Sequence, residues 1–311
     1  MAGYSDRAMR CTVHRAGAEL SVSEMVSAKA LVYRDKKTPL LARVLPDEGP
    51  VAVQIFGSDP SVMAEAAAIV AEGIAGGIPP VAIDINMGCP MPKITGNGEG
   101  SALMRDPERV EAITRAVKEA VRIPVMVKIR AGWDEAHKNA ATVALAAEAG
   151  GASAVTVHGR TRTQLYTGRV DYAVIAKVKE SVRIPVIGNG DVVSVETALQ
   201  MRRETHCDGI MVARGAIGNP FIFQELRAAL RGEAYTPPTR EELIATAIAQ
   251  LGISVAEKGE YRAVREARKQ MLDYVRGLRG ATDIRGRIAL AEDAESVRRA
   301  LLDSLLLEKQ D

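Results

Sequence analysis

In INMGCPMPK, residues 85–93, a cysteine sits between a glycine and a proline at the end of the apolar run VAIDI (81–85). A thiol so placed is either a small apolar residue in a tight turn or an acid or nucleophile aimed at a substrate. Residues with chemical potential also mark other apolar runs. Gln54 lies in VAVQIF, Asn86 precedes the cysteine, Lys128 and Arg130 end VMVKIR, and His158 ends AVTVH. Gly188-Asn189-Gly190-Asp191 and Ala213-Arg214-Gly215 close two more. Glycine-bearing loops present backbone N–H groups to phosphate, and a neighbouring arginine can pair with it. Two such loops on consecutive runs favour a phosphorylated ligand over simple turns. Lys128 requires an anion, a carbonyl or a Schiff-base partner, unless it snorkels to water. Spacing leaves both readings open, and His158 taken alone reads as a core histidine.

These residues must be held by a repeating scaffold. The runs at 51–56, 81–85, 124–129, 154–159, 185–190 and 209–213 are apolar on both faces, as strands of a buried parallel sheet should be. Helical stretches separate them. Asp59-Pro60, Asp106-Pro107 and Asn219-Pro220 each place a capping residue before a proline at a helix start. VKEAVRIPVMV (117–127) echoes VKESVRIPVIG (178–188). Repeated units of this kind predict a (β/α)8 TIM barrel over residues 1–235, with an open doubly wound sheet as the alternative. In such barrels function gathers at the carboxyl ends of the strands. A polar linker, GEAYTPPT (232–239), then leads to a capping box at Thr239 and Glu242 and to helical periodicity alone. Residues 236–311 are therefore expected to form a small all-α domain.

Composition narrows the classes. The chain has 311 residues, 47% hydrophobic and 26% charged, and only 4% aromatic, so its core must be aliphatic. No run approaches a membrane span or a secretory signal. Cys11, Cys89 and Cys207 lie far apart without metal-ligand spacing, which predicts a reduced, cytoplasmic setting and no metal. The net charge of +2 does not announce a nucleic-acid binder. Yet Arg262, Arg265, Arg268, Lys269, Arg276, Arg279, Arg285 and Arg287 are opposed only by Glu266, Asp273 and Asp283. Charge alone favours a solvated helix face there.

Read together, the strand ends resemble the tRNA-dihydrouridine synthases, and within them the B-type bacterial branch. The resemblance rests on MAGYSDRAMR (1–10), EMVSAKAL (24–31), VQIFGSDP (53–60) and INMGCPMPKITGNGEGSALMRDP (85–107). It continues through VKIRAGW (127–133), TVHGRTRTQLYTG (156–168), PVIGNGDV (185–192) and MVARGAIGNPFIF (211–223). It implies an FMN enzyme, recharged by NADPH or NADH, that reduces uridine to dihydrouridine in the D loop of tRNA. By the same resemblance, Met1, Ala2, Gln54, Lys128, His158, Asn189, Gly190, Asp191, Ala213 and Arg214 hold the flavin. Cys89 is the proton donor, and Asn86 faces the uracil. Lys93, Arg130, Arg160, Arg265, Arg268 and Arg276 are expected to meet the tRNA, the arginine-rich helices acting as a backbone clamp. The protein is expected to be monomeric and free of membranes.

The chemistry agrees with that assignment. Reducing an electron-poor alkene takes a hydride at C6 and a proton at C5, and a cysteine thiol of ordinary pKa, about 8.5, is largely protonated at neutral pH. The resemblance also implies that most of barrel strand 1 is missing before Met1, leaving a barrel of seven full strands. A reductase of free pyrimidines, a catalytically impaired tRNA-binding relative and a lyase using Lys128 as a Schiff base are the alternatives.

Overall fold

A computed structural model describes residues 1–278 and 280–306. Eight strands are present: β1 Ser21–Val22, β2 Val26–Ser27, β3 Val51–Phe56, β4 Ala82–Met87, β5 Val125–Arg130, β6 Ala154–His158, β7 Val186–Asn189 and β8 Gly209–Met211. All pairings are parallel, and the ladder runs β1-β3-β4-β5-β6-β7-β8, with β2 also on β3. Eight strands thus fill seven places in a curled α/β sheet of barrel type. Among the described residues no ladder joins β8 to β1. Residues 1–6 form turns before the helix Arg7–Arg15, so among the described residues no strand precedes β1.

The long helices Pro60–Ala71, Pro107–Ala120, Ala140–Ala149, Tyr172–Ser181, Val195–Thr205 and Ile222–Arg231 follow successive strands. Val53, Ile55, Ile83, Ile85, Val127, Ile129, Val155 and Val157 point toward them and are fully buried. Each such side chain contributes about 1.5–3 kcal/mol relative to exposure, so this outer interface holds the sheet together. Asp59 and Asp106 cap their helices, accepting from Ser61 and Val62 and from Arg109. The third expected cap fails. The helix begins only at Ile222, because Pro220 and Phe221 are taken up in turns closed on the Asn219 and Pro220 carbonyls.

The inner face overturns the reading of strands apolar on both sides. Only its lowest layer is apolar: Ala52, Ala82, Met126 and Ala154, packed with Val22 and Ile187. Above it the alternate positions carry Gln54, Asp84, Asn86, Lys128, Arg130, Thr156, His158 and Asn189. Period-two alternation is therefore present, hidden within short runs by intervening valines and isoleucines.

The helices Arg240–Lys258, Glu260–Tyr274, Ala281–Leu290 and Ala294–Asp303 enclose a second apolar core around Ile244, Leu251, Val264, Met271, Ile288 and Leu301. The first of them opens on the expected Thr239–Glu242 capping box. They dock on the start of the chain: Lys258 Nζ reaches Asp6 at 2.5 Å, Gln250 meets Met9, and Lys269 lies over the Tyr4 ring.

Candidate active site at the carboxyl rim

Cys89 lies one turn beyond β4, in a loop fixed from two sides. On one side Asn86 Oδ1 accepts from the Gly88 and Cys89 N–H groups at 3.2 and 2.9 Å. Asn86 is itself oriented, since its Nδ2 donates to Gln54 Oε1 at 2.8 Å and Gln54 Nε2 donates to Asp84 Oδ2 at 2.6 Å. A carboxylate can only accept, so Asp84 dictates which way both amides face, and through them where the thiol loop sits. On the other side the Cys89 carbonyl accepts from Ser101 N at 3.0 Å and Ser101 Oγ at 2.9 Å. Gly100, at φ +60°, comes so close that a Cβ there would lie 2.8 Å from the Cys89 carbonyl and 3.1 Å from its Cβ. Gly88 has ordinary φ and room for a Cβ at contact distance, so the demanding glycine is Gly100. Neither Gly100 nor Ser101 was expected from the sequence, although both stand in GEGSALM.

The rest of the mouth is short of partners. Asp84 is fully buried with Oδ1 unbonded, and Thr156 Oγ1 is likewise buried and unbonded. Lys128, half-buried in the same chamber, forms no ion pair with a described residue. Burial pushes the Asp84 carboxyl up to about 6 against the pull of the Gln54 hydrogen bond and the Lys128 charge. Burial likewise pulls Lys128 down to about 8, helped by Arg130 and opposed by Asp84. His158 is driven far below its usual range by burial and then by the charges of Lys128, Arg130, Arg160 and Arg214, so its ring is neutral.

Two arginines at the rim are spent on loops. Arg130 donates to the Gly88, Thr161 and Leu165 carbonyls at 2.8, 2.9 and 2.8 Å. Arg160, 2% exposed, donates to Thr167 and Gly168 and grips both oxygens of Asp191. Asp191, left-handed at φ 52°, also takes Arg214 at 2.9 Å, and these arginines hold its carboxyl below the usual range. Asn189 Nδ2 donates to the Met211 carbonyl at 2.9 Å. Gly190, at φ 126°, could not carry a side chain without meeting Val170 and His158. Tyr166, exposed and missed by sequence reading, has Arg130 and Arg214 at 5.7 and 5.4 Å from its ring.

Other expected residues lie further out. Ala2 and Lys93 are exposed, and Ala213 is half-buried in the last loop. Met1 is 37% exposed as a residue, but burial pulls its amino group, which donates to Ser5 Oγ, down to about 6 against the pull of the Glu24 charge. That amino group lies close enough to Lys128 and Asp84 to feel their charges. In the helical region Arg276 pairs with Asp273, Arg262 with Glu266 and Arg287 with Asp303. Arg268 and Arg285 donate to the Ala291 and Leu272 carbonyls and so tie helices together. Arg265 lies over Tyr261, without a carboxylate partner among the described residues. Arg279 lies outside the described residues. Among the described residues no His, Cys, Asp and Glu cluster could hold a metal, and no helix is long and apolar enough to cross a membrane.

A parallel α/β sheet of barrel type with its reactive groups gathered at the carboxyl rim is an enzyme scaffold. The family description "Dihydrouridine synthase (Dus)" matches residues 1–309, and the chain belongs to that family. It is 43% identical over 291 residues to a "Probable tRNA-dihydrouridine synthase" of Treponema pallidum, covering 91% of this chain and 84% of that one. It is 40% identical to the "tRNA-dihydrouridine synthase B" of Pseudomonas putida (95% and 87% covered) and 39% to that of Pseudomonas aeruginosa (95% and 88%). Among solved structures, nitroalkane oxidase from Streptomyces ansochromogenes overlaps with a TM-score of 0.37 and 19% identity, covering 68% of this chain and 62% of that one. That overlap is too low to carry an inference.

Proposed function

We propose that this protein reduces uridine to 5,6-dihydrouridine in the D loop of tRNA, using FMN recharged by NADPH or NADH. The observation that carries the reading is Cys89 on a loop fixed from both sides, beside a chamber whose ammonium and polar atoms lack partners. The donor set suits FMN: an ammonium without an anion at Lys128, a half-exposed Arg214 guanidinium, and the tight turn at Gly190. Gln54, Lys128 and His158 would line its ring. Asn189, Gly190, Asp191, Ala213 and Arg214 would hold ribityl and phosphate, with Met1 and Ala2 at the edge.

Flavin held there, once reduced by NADPH or NADH, would supply the hydride needed at uracil C6. Cys89 Sγ gives its proton to C5 and regains one from solvent. Lys128, charged below about pH 8, offsets negative charge in the chamber. Asn86 faces the base while its oxygen holds the thiol loop. Arg130 and Arg160 serve the substrate by shaping the rim through which an unstacked uridine must enter. Lys93, Arg265 and Arg276 meet the tRNA backbone, and Arg268, whose guanidinium also ties to the Ala291 carbonyl, adds its charge beside them. The two apolar cores support a catalytic domain at 1–235 and a tRNA-binding domain at 236–311. Three free cysteines and a tRNA substrate fit the cytoplasm.

The test is Cys89→Ala. The variant should remain yellow and lose about 10²–10⁴-fold in dihydrouridine formation, the usual worth of a positioned acid. A folded protein that takes up no FMN, or a variant with full turnover on tRNA, would refute the reading.

A further inference from the structure

Arg105 and Arg162 both lie over the Trp133 ring. Their guanidinium carbons lie 5.1 and 4.6 Å from the indole centroid. A guanidinium over a tryptophan ring is favourable by itself. Neither arginine pairs with a carboxylate among the described residues. The nearby acids are engaged elsewhere: Asp134 with His137, Glu135 with Lys138, and Asp106 with Arg109. Arg162 Nε is moreover buried with no hydrogen-bond partner.

The loop carrying the stack is rigid. Trp133 N donates to the His137 carbonyl at 3.2 Å, and Thr163 N and Arg162 N donate to the Trp133 and Gly132 carbonyls at 3.1 and 2.9 Å. Gly132 leaves no space for a Cβ, which would lie 2.1 Å from the His137 carbonyl. Two like charges thus share one indole ring, an arrangement that an anionic, planar ligand would complement. Its place in the fold is equally telling. The stack follows β5, the middle strand of the ladder. The helical domain docks instead at the two ends, on Tyr4, Asp6 and Met9 before β1 and on Gly218 after β8. The stack therefore faces the helical domain across the mouth that holds Cys89.

We propose that the Arg105–Trp133–Arg162 cluster is a second RNA contact, on which an unstacked nucleotide base lies against the exposed guanidinium of Arg105. Arginine planes and aromatic rings stack bases with little regard to sequence, and the delocalised cation also favours the phosphate next to the base. The substrate RNA would then be held on both sides of the thiol. This inference rests on the tRNA reading above.

Trp133 is the only tryptophan in the chain, so its emission reports on the site directly. The full-length protein is titrated with an unmodified tRNA transcript while tryptophan emission and RNA anisotropy are followed. Wild type is expected to bind with a change in emission. Arg105→Ala should bind about 10-fold more weakly, and Arg105→Lys, which keeps the charge but not the plane, should stay weak. Arg115→Ala, on the outer face of the helix Pro107–Ala120, should match wild type. If wild type binds and Arg105→Ala binds equally well, or if Arg105→Lys fully restores binding, the stacking contact is refuted while the tRNA reading stands. If wild type binds no tRNA, that reading fails first.

Discussion

Two buried polar networks, one in each core, are built from similar groups but finished differently. In the helical region Gln250 Nε2 donates to Gln270 Oε1 at 2.5 Å, Tyr274 OH donates to Gln250 Oε1 at 2.6 Å, and Gln270 Nε2 reaches the Tyr4 carbonyl at 3.5 Å. That network closes on itself and on the barrel, and it works as a joint. In the barrel, Asp84, Gln54 and Asn86 form an equally directional chain, yet Asp84 Oδ1, Thr156 Oγ1 and Lys128 are left over. An unmet buried polar group costs about 1–3 kcal/mol. Other unmet atoms, such as Ser254 Oγ and Asn139 Oδ1, occur elsewhere, but those of Asp84 and Thr156 share the chamber of Lys128, as the proposed ligand site requires.

That contrast can be broken most decisively at Lys128. Lys128→Met should weaken FMN binding by roughly 10- to 100-fold, the range for losing a hydrogen bond to a charged group. It should not lower the thermal midpoint of the flavin-free protein, because the lost ammonium has no protein partner. Fluorescence titration and a melting curve read the two effects separately, and a large drop in midpoint would make Lys128 architectural.

Gln250→Leu should do the reverse. It strands Tyr274 OH and one end of Gln270, costing about 1–3 kcal/mol in denaturant unfolding, with FMN affinity unchanged. Tyr274→Phe removes a single donor and should cost about 1 kcal/mol in the same assay.

The smallest effect is that of pH. Lys128 has a folded value near 8, below its ordinary 10.5, so the folded state gives up that proton first. FMN affinity should therefore fall as pH rises through 8, while the Lys128 contribution to flavin-free stability improves between about pH 8 and 10.5. Asp84 runs the other way in stability. Raised to about 6, its contribution is full below about pH 3.8 and is lost as pH rises through 6. Affinity that stays flat from pH 7 to 9 would remove Lys128 from the flavin.

Much of this could be read from the residues. β3 to β8 fall on the apolar runs because branched aliphatic side chains crowd the outer face of every strand. Two parts could not. β1 and β2, in SVSEMVS, are too short and polar to register as strands and exist only because β3 offers a ladder. The inner polar layer was hidden because run counting ignores register. At the site, Cys89, Asn86, Lys128 and the glycine loops were visible as residues out of character with their runs. The anchors Gly100 and Ser101 were not, since their role arises from tertiary closure on a carbonyl. The arginine-rich helices were legible as a run of charge, but sequence cannot reveal that Arg268 and Arg285 also donate to carbonyls of neighbouring helices.

The left-handed Gly100 pressed against Cys89 bears on transplantation. The segment from Asn86 to Pro90 looks like a portable cassette, but its thiol is aimed by a residue eleven places downstream that must lack a side chain. Grafting the short segment onto another barrel would transfer a reactive cysteine without its direction. The smallest unit that can be inherited or engineered whole runs from Gln54 and Asp84 through Ser101, so this acid travels with its scaffold or not at all.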